Sequence, residues 1–292
     1  MLNVTPSGQG LGARVENIDL SQPISQASYK EIEGLLGKYG VLCFPKQTLT
    51  PQQLKNFSQH FGTLEINVAN SYQEPGLPEV MTLSNIRVDG KPIGLGDAGQ
   101  DWHTDMSYSK MIAFTNVLYA MQIPHRDGKP LGNTEFSNMR AAYETLPEDL
   151  KQKLAGMTVL HDFNKFWEKM RSQPGSTRAP LTPEQRAAKP PVSHPIFLTH
   201  PITGQKVLYA NPGYSIRINE LPADESDRIL KFLFEHQLQP QFRYAHQWQV
   251  GDVLMWDNMG TIHNAVADYL PHEHRLIKRC QVMADRYFPE AA

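Results

Sequence analysis

Cysteine is scarce in this chain, and a long apolar segment is absent. Only Cys43 and Cys280 occur among the 292 residues, each in a short apolar run, which predicts buried, reduced thiols rather than a disulfide framework. No segment approaches the ~20 consecutive apolar residues that a membrane span requires. The first residues have neither the basic start nor the apolar core of an export signal. We therefore expect a cytoplasmic protein with no membrane partner.

An excess of charge of either sign is also lacking. The 28 lysines and arginines nearly balance the 30 aspartates and glutamates, so the net charge is −2 at pH 7. This balance gives no reason to expect a nucleic-acid partner or an anionic lipid surface. No internal repeat or low-complexity tract divides the chain, and its length suits one large domain. We therefore predict a single domain over residues 1–292.

The apolar pattern predicts short strands surrounded by helices. Helical spacing marks residues 26–38, 140–156 and 225–236, and Thr50 with Pro51 begins a further helix. Strands are predicted at 11–18, 40–44, 80–83, 115–121, 207–210, 215–218, 242–248, 253–256, 261–265 and 276–284. The close spacing of the last four favours a jelly roll or sandwich. Residues 62–100 are expected to form a substrate-covering loop, and a loop-rich insertion is expected around residues 165–195.

A short motif carries most of the chemical information. His103 and Asp105 are separated by one residue, so both side chains would lie on the same face of an extended strand. The distant His263 can complete a 2-His-1-carboxylate site, which holds Fe(II) and leaves the opposite face open. Arg275 follows soon after and suits the far end of a dicarboxylate cosubstrate. The motif favours Fe(II) oxygenase chemistry.

Three other classes of protein would use these residues differently. A zinc hydrolase needs two histidines and an aspartate but also a general base, and it has no use for Thr134 or Arg275. A non-catalytic metal-binding cupin would ignore the cosubstrate as well. A structural β-sandwich would treat His103, Asp105 and His263 as satisfied polar residues.

Several segments together carry a resemblance to a known family. They include Trp102–Tyr108, Gly132–Phe136, Gly251–Asn258 and Asp268–Pro271. With His263 and Arg275 they make the chain resemble the TauD/TfdA family of Fe(II)- and 2-oxoglutarate-dependent dioxygenases, from about residue 5 to residue 285. The resemblance implies a mainly β fold with surrounding helices, the double-stranded β-helix (a cupin-like jelly roll).

The resemblance also implies roles for individual residues. His103, Asp105 and His263 correspond to the iron ligands, and Thr134 and Arg275 to the partners of the distal carboxylate of 2-oxoglutarate. Related iron halogenases replace the carboxylate ligand with a small residue, so the presence of Asp105 argues for hydroxylation. The implied cofactors are Fe(II), 2-oxoglutarate as cosubstrate and O2. The implied reaction converts 2-oxoglutarate to succinate and CO2 and hydroxylates a substrate carbon, with C–O, C–N or C–S cleavage where the product collapses.

Substrate contacts are the least determined part of the resemblance. Arg279 corresponds to an arginine that binds the acid group of the substrate, and Lys91 to a candidate carboxylate contact in the chlorophenoxyacetate-degrading branch. Asn67 stands where taurine enzymes use a histidine, which argues against taurine itself. Trp167 and Tyr214, together with Phe166, suit an apolar or aromatic body.

We therefore predict a small organic acid, in the first place a carboxylate, as the substrate. The alternative is a sulfonate or alkyl-sulfate dioxygenase of the taurine type. Tyr108, Trp248 and Trp256 are assigned structural roles. Members of the family are commonly dimers or tetramers, so a homo-oligomer is expected by analogy.

Overall fold

The computed structural model describes residues 2–66, 72–173, 176 and 178–289. The helices in these ranges are α1 (Gln26–Tyr39), α2 (Pro51–Ser58), α3 (Met139–Glu144), α4 (Glu148–Leu154), α5 (Phe163–Arg171), α6 (Pro183–Ala188) and α7 (Ala223–His236). The strands are β1 (Asn3–Pro6), β2 (Ala13–Glu16), β3 (Val41–Phe44), β4 (Gln73–Glu74), β5 (Leu77–Ser84), β6 (Arg87–Val88), β7 (Lys91–Pro92), β8 (Ala113–Gln122), β9 (His125–Arg126), β10 (Lys129–Pro130), β11 (Thr134–Asn138), β12 (Thr158–His161), β13 (Val192–Pro195), β14 (Phe197–Thr199), β15 (Lys206–Leu208), β16 (Ser215–Ile218), β17 (Arg243–His246), β18 (Val253–Asp257), β19 (Thr261–Ala265) and β20 (Leu276–Met283).

The largest sheet has eight strands in the order β1-β2-β3-β18-β8-β20-β5-β4. Its strands β3 and β18 are buried along their whole length, because both faces of the sheet are covered, and this explains their unbroken apolar sequence. On one face, Ile32 and Leu36 of α1 and Phe57 of α2 share a core cluster with Leu42 and Phe44 of β3. The two N-terminal helices therefore cover the outer face of this sheet.

A three-stranded sheet in the order β17-β11-β19 supplies the opposing layer. Phe136 of β11 and Tyr244 of β17 pack in one core cluster with Leu118 of β8 and with Leu254 and Trp256 of β18. The two sheets thus enclose a shared core, and the architecture is the jelly roll with surrounding helices that the sequence predicts. This layer matters for function because β11 and β19 carry Thr134 and His263.

The segment around residues 165–195, predicted to be a loop-rich insertion, contains regular secondary structure in its described part. It contains most of α5, all of α6 and the strand β13, which pairs with β12. Thr182 forms a capping box at the start of α6, with Pro183 at the first helical position, and both are recognisable signals of a helix start. The predicted loop-rich insertion thus includes two short helices and a strand in the part that the structure describes.

Most other elements agree with prediction within a few residues. Thr50 caps α2 through a capping box with Gln53, and Pro147 separates α3 from α4, as expected from its lack of an N–H group. The strands β1 and β9 to β14 are not predicted from the sequence, and the expected loop at 62–100 contains β4 to β7. None of the helices in the described ranges is long and apolar enough to cross a membrane.

Candidate active site

The two histidines of the predicted metal site lie directly opposite one another. His263 belongs to β19, and His103 pairs with it through an isolated antiparallel bridge. In this bridge each backbone N–H donates to the other residue's carbonyl, at 3.0 Å and 2.9 Å. Asp105, two residues later, lies in a turn. The prediction that His103 and Asp105 share one strand is therefore wrong, because the chain leaves the sheet after His103.

Asn258 holds the turn that carries Asp105. Its side-chain N–H donates to the Asp105 carbonyl at 2.8 Å, and its amide oxygen accepts from the Asp105 N–H at 3.2 Å. Asn258 is fully buried and also donates to the Ala113 carbonyl at 3.2 Å. The Asn258 side chain thus makes the two backbone hydrogen bonds that a neighbouring strand would otherwise make with Asp105. The sequence analysis did not identify Asn258 as a site residue.

The side chains of His103, Asp105 and His263, called the triad below, converge on one point. Their potential ligand atoms lie within 4.8 Å of one another. Nε2 of His103 is 3.2 Å from Oδ1 of Asp105, and Nε2 of His263 is 3.8 Å from Oδ2. Nδ1 of His103 lies 2.8 Å from the Asp101 carbonyl oxygen, a contact in which Nδ1–H donates and Nε2 keeps its lone pair. The arrangement is a facial 2-His-1-carboxylate set.

His263 and Asp105 are held in the protonation states that a metal ion requires. Burial, together with the neighbouring His103 ring, lowers the pKa of His263 to about 3, so its imidazole is neutral near pH 7. Burial opposes ionisation of Asp105, but the His103 and His263 rings and the Arg279 guanidinium around it hold the pKa of its carboxyl well below the ordinary value. Oδ2 of Asp105 is buried and accepts no hydrogen bond from the described residues. A bound cation would satisfy that oxygen.

Cys43, His246 and Asp252 form a second cluster of possible metal ligands. Their groups are less available to a metal ion than those of the triad. Nε2 of His246 lies 3.1 Å from Oδ2 of Asp252, so these two groups already satisfy one another. Burial and the nearby Asp252 raise the pKa of the Cys43 thiol, and a protonated thiol is a poor metal ligand. The triad is therefore the better metal site.

Thr134 and Arg275 lie beside the triad. Thr134 of β11 is paired with Ala265, and Phe136 with His263, so Thr134 lies on the same face as His263, about 7 Å along the strand. The indole N–H of Trp248 donates to the Thr134 hydroxyl oxygen at 3.0 Å. The Arg275 guanidinium lies 6.0 Å from the centre of the Trp248 ring. Trp248, which the sequence analysis assigned to structure, thus links the two predicted cosubstrate residues.

The Arg275 side chain is 7% exposed, and no described residue accepts a hydrogen bond from its guanidinium or forms a salt bridge with it. Burial lowers the pKa of Arg275, and Tyr269 and Asp268 oppose that effect. An arginine stays charged in proteins, so this cation is buried without a direct anionic partner, which is costly unless a ligand supplies the anion.

Gly132 allows Arg275 to lie where it does. Its backbone has φ +75°, and a Cβ atom at this position would lie 3.0 Å from the Nε atom and 3.1 Å from the Cδ atom of Arg275. The Gly132 N–H donates to Oδ1 of Asp268 at 2.7 Å. A side chain at residue 132 would be strained by its φ and would also displace the guanidinium.

A cavity of about 160 Å³ opens beside His103 and Asp105. Its wall includes aromatic residues from α5 and neighbouring loops, namely Tyr108, Phe163, Phe166, Trp167 and Tyr214. The ring centres of Phe166 and Tyr214 lie 5.0 Å and 6.1 Å from that of His103. The close approach depends on Gly213, where a Cβ atom would lie 2.6 Å from the His103 Cβ.

Charged side chains complete the wall of this cavity. Arg279 extends from β20, and its Nη1 lies 3.8 Å from Oδ2 of Asp105. Arg178 stacks over the Trp167 ring at 4.8 Å and forms two hydrogen bonds to Asp97, at 2.8 Å and 2.9 Å. Glu65 and Lys189 also line the cavity.

The structure brings together most of the predicted substrate residues. Arg279, Trp167 and Tyr214 line the cavity beside the triad. Lys91 is exposed in the β6–β7 hairpin and does not line this cavity. Asn67 lies outside the described residues, so its predicted role is not addressed by the structure.

The comparisons with known proteins agree with this geometry. A family model described as the taurine catabolism dioxygenase TauD, TfdA family, matches residues 3–281. The alpha-ketoglutarate-dependent 2,4-dichlorophenoxyacetate dioxygenase of Cupriavidus pinatubonensis is 35% identical over 86% of this chain and 87% of its own length. Pentalenolactone F synthase of Streptomyces avermitilis is 32% identical over 95% of this chain and 92% of its own length.

A solved structure supports the same assignment. The crystal structure of AAD-2 in complex with Mn(II) and N-oxalylglycine superposes on this chain with a TM-score of 0.80. The two sequences are 26% identical, and the superposition covers 97% of each chain. Sequence relatives, fold and the converging side chains thus give one consistent result. The chain belongs to the TauD/TfdA family, and it is a 2-oxoglutarate-dependent dioxygenase.

Proposed function

We propose that this dioxygenase binds Fe(II) at the triad and hydroxylates a small organic acid with an apolar or aromatic body. The observation that carries this proposal is the composition of the cavity beside the triad. Its wall is largely aromatic, and Arg178 is neutralised by Asp97. Two other cations, Arg279 and Lys189, line the cavity, whereas Glu65 is the one further carboxylate among the described residues of its lining apart from Asp105 of the triad. The cavity therefore favours a ligand with one negative charge and a flat apolar body.

The triad has the donors and the free lone pairs that Fe(II) needs. His103 and His263 would bind through Nε2 and Asp105 through a carboxylate oxygen, which leaves positions for a chelating cosubstrate and O2. When bound, iron supplies the activation of O2 and the hydroxylation chemistry, and the protein supplies position, charge and exclusion of water. The relatives are dioxygenases, so the zinc hydrolase, the non-catalytic cupin and the structural sandwich are set aside.

Arg275 and Thr134 are proposed to bind the distal carboxylate of 2-oxoglutarate. A guanidinium forms two parallel, charge-assisted hydrogen bonds to a carboxylate, and a threonine hydroxyl adds a third donor. The Thr134 hydroxyl already accepts from Trp248, so its own hydrogen is directed elsewhere. The buried charge of Arg275, which has no direct partner among the described residues, gains its anion when the cosubstrate binds.

Arg279 is proposed to bind the acid group of the primary substrate. It lies at the boundary between the triad and the cavity, 3.8 Å from Oδ2 of Asp105. An acid held there would bring the adjacent carbon close to the metal position. Phe166 and Tyr214 would then position the body of the substrate, because they pack against His103 on the same side. Their rings also exclude water from the reacting carbon.

A carboxylate and a sulfonate each carry one negative charge, so the charges of the cavity suit both acid groups equally. The taurine-type alternative therefore remains a second candidate function. Hydroxylation of a carbon that carries oxygen, nitrogen or sulfur would produce an unstable product that loses that bond. Product analysis by mass spectrometry would distinguish simple hydroxylation from cleavage.

The test is an anaerobic titration of 2-oxoglutarate into the Fe(II)-loaded protein, followed by absorbance. We expect the weak visible charge-transfer band of the chelate, and a shift of this band when aryl carboxylates or aryl sulfonates are added. Absence of the band in protein with iron bound would refute the proposal. Loss of the shift in an Arg279→Met variant, with the chelate band retained, would support Arg279 as the substrate ligand.

A further inference from the structure

Two charged side chains in the cavity have no ion-pair partner among the described residues. These are Lys189, which follows α6, and Glu65, which precedes β4. They differ from Arg178, whose charge is neutralised by two hydrogen bonds to Asp97. The loop segments that carry Lys189 and Glu65 are far apart in sequence, and the fold brings both side chains to one cavity. Their charges are available to a ligand.

The ammonium group of Lys189 lies among aromatic rings. Its Nζ atom is 5.0 Å from the ring centre of Tyr108 and 5.0 Å from that of Phe163. Such contacts compensate only part of the hydration that a cation loses on burial. Burial lowers the pKa of Lys189, and the charge of Glu65 opposes this effect. An anion that enters the cavity would find a cation that is already partly desolvated and held in place.

Glu65 has the complementary position. Burial raises the pKa of its carboxyl, and the charges of Lys189 and Arg279 lower it. Both cations are thus close enough to Glu65 to favour ionisation of its carboxyl, yet no salt bridge joins it to either of them in the described structure. Its carboxylate would repel a bound anion, so it limits the cavity to ligands whose acid group is placed on the side of the cations.

We propose that Lys189 is a specificity-determining residue that donates a hydrogen bond to the acid group of the primary substrate, together with Arg279. The proposal rests on the proposed function and extends it to a second cation from the α6–β13 loop. It replaces Lys91, the lysine expected from the family resemblance, because Lys91 is exposed outside the cavity. Glu65, in contrast, is proposed to weaken binding of the same acid group, because its carboxylate repels it.

The test uses phenoxyacetate as the acid probe and 2-phenoxyacetamide as its uncharged counterpart. Binding to the anaerobic Fe(II)–2-oxoglutarate enzyme is measured by calorimetry and by the shift of the chelate band. Lys189→Met should weaken phenoxyacetate on the order of tenfold or more, as expected for a lost hydrogen bond to a charged group. It should leave the amide and 2-oxoglutarate unchanged. Lys189→Arg should restore most of the affinity, and Lys91→Met is the matched control.

The sign of a second substitution separates two explanations. Glu65→Gln should strengthen phenoxyacetate binding, because it removes a repelling charge. If Lys189 and Glu65 served only to hold the cavity wall in place, both substitutions would weaken binding, and the proposal would be overturned. It would also be overturned if Lys189→Met weakened acid and amide alike, or if wild-type enzyme with a normal chelate band bound no acid. In that last case the dioxygenase assignment would stand, and the proposed acid substrate would fail together with the role of Lys189, whereas failure of the Lys189 variants alone would leave the acid substrate in place.

Discussion

Replacement of Arg275 by methionine tests the cosubstrate site most directly. Methionine keeps much of the length and apolar volume of the side chain and removes the guanidinium. Truncation of one partner in a buried, hydrogen-bonded charge pair costs about 2–5 kcal/mol, which corresponds to a loss of roughly 30-fold to several thousandfold in affinity. We therefore expect 2-oxoglutarate to bind at least 30-fold more weakly, with Fe(II) binding unchanged.

The assay compares 2-oxoglutarate with 2-oxopentanoate, which has the same chain length and no distal carboxylate. Anaerobic titration of the chelate band gives both affinities. Wild-type enzyme should prefer 2-oxoglutarate strongly, and Arg275→Met should lose that preference. Because the guanidinium is buried without an ion-pair partner in the described structure, the variant should unfold at the same or a higher temperature. Retained preference for 2-oxoglutarate would show that Arg275 does not bind the distal carboxylate.

Three further predictions concern Gly132, Asp105 and His161. Gly132→Ala should weaken 2-oxoglutarate binding on the order of tenfold, because the new Cβ atom would lie 3.0 Å from Nε of Arg275; the chelate titration measures this. Asp105→Ala should abolish stoichiometric Fe(II) binding, measured by metal analysis after dialysis, because it removes the one anionic ligand of the triad. The third concerns acid stability: burial lowers the pKa of His161 well below its ordinary value of 6.5, so the unfolded chain binds the proton first as pH falls. The contribution of this residue to the free energy of unfolding is therefore present above about pH 6.5 and is lost progressively below it, by up to about 1.4 kcal/mol per pH unit. Thermal unfolding of His161→Met should show a smaller decrease of stability with falling pH.

Each of these predictions has a control in the same chain. Gly128→Ala has an equally positive φ, +75°, but no atom within 4 Å of the new Cβ, so it separates backbone strain from contact with the guanidinium. Equal loss of 2-oxoglutarate affinity in the two glycine variants would contradict the crowding argument. Iron retained at full stoichiometry in Asp105→Ala would remove that residue from the metal site. An unchanged acid slope in His161→Met would show that another group controls acid unfolding.

The fold could be predicted largely because its signals are local. Strands such as β3 and β18 are marked by short, mostly apolar segments, and Thr50 with Pro51 marks a helix start. Within the segment around residues 165–195, the capping box at Thr182 and Pro183 marks the start of α6, which the sequence analysis did not single out. Local propensity decides least where short helices are stabilised mainly by packing on other elements.

The site was predictable in its residue types and less so in its geometry. His103, Asp105, His263, Thr134 and Arg275 form recognisable motifs, and their chemistry follows from the donors they offer. The sequence motif predicts a strand for His103 and Asp105, whereas the structure places Asp105 in a turn. That turn is stabilised by Asn258, a contact between residues distant in the chain, and sequence spacing alone does not specify such a contact.

The sequence by itself determined the class of chemistry, since its motifs place the chain in a family of 2-oxoglutarate-dependent dioxygenases. Only the tertiary structure decided which charges share the cavity. Lys91 and Lys189 are the same residue type in loop-rich segments, and only Lys189 reaches the cavity, between Tyr108 and Phe163. The physical reason is that the substrate wall is built from loops and helix ends, whose positions depend on packing between residues that are distant in the chain.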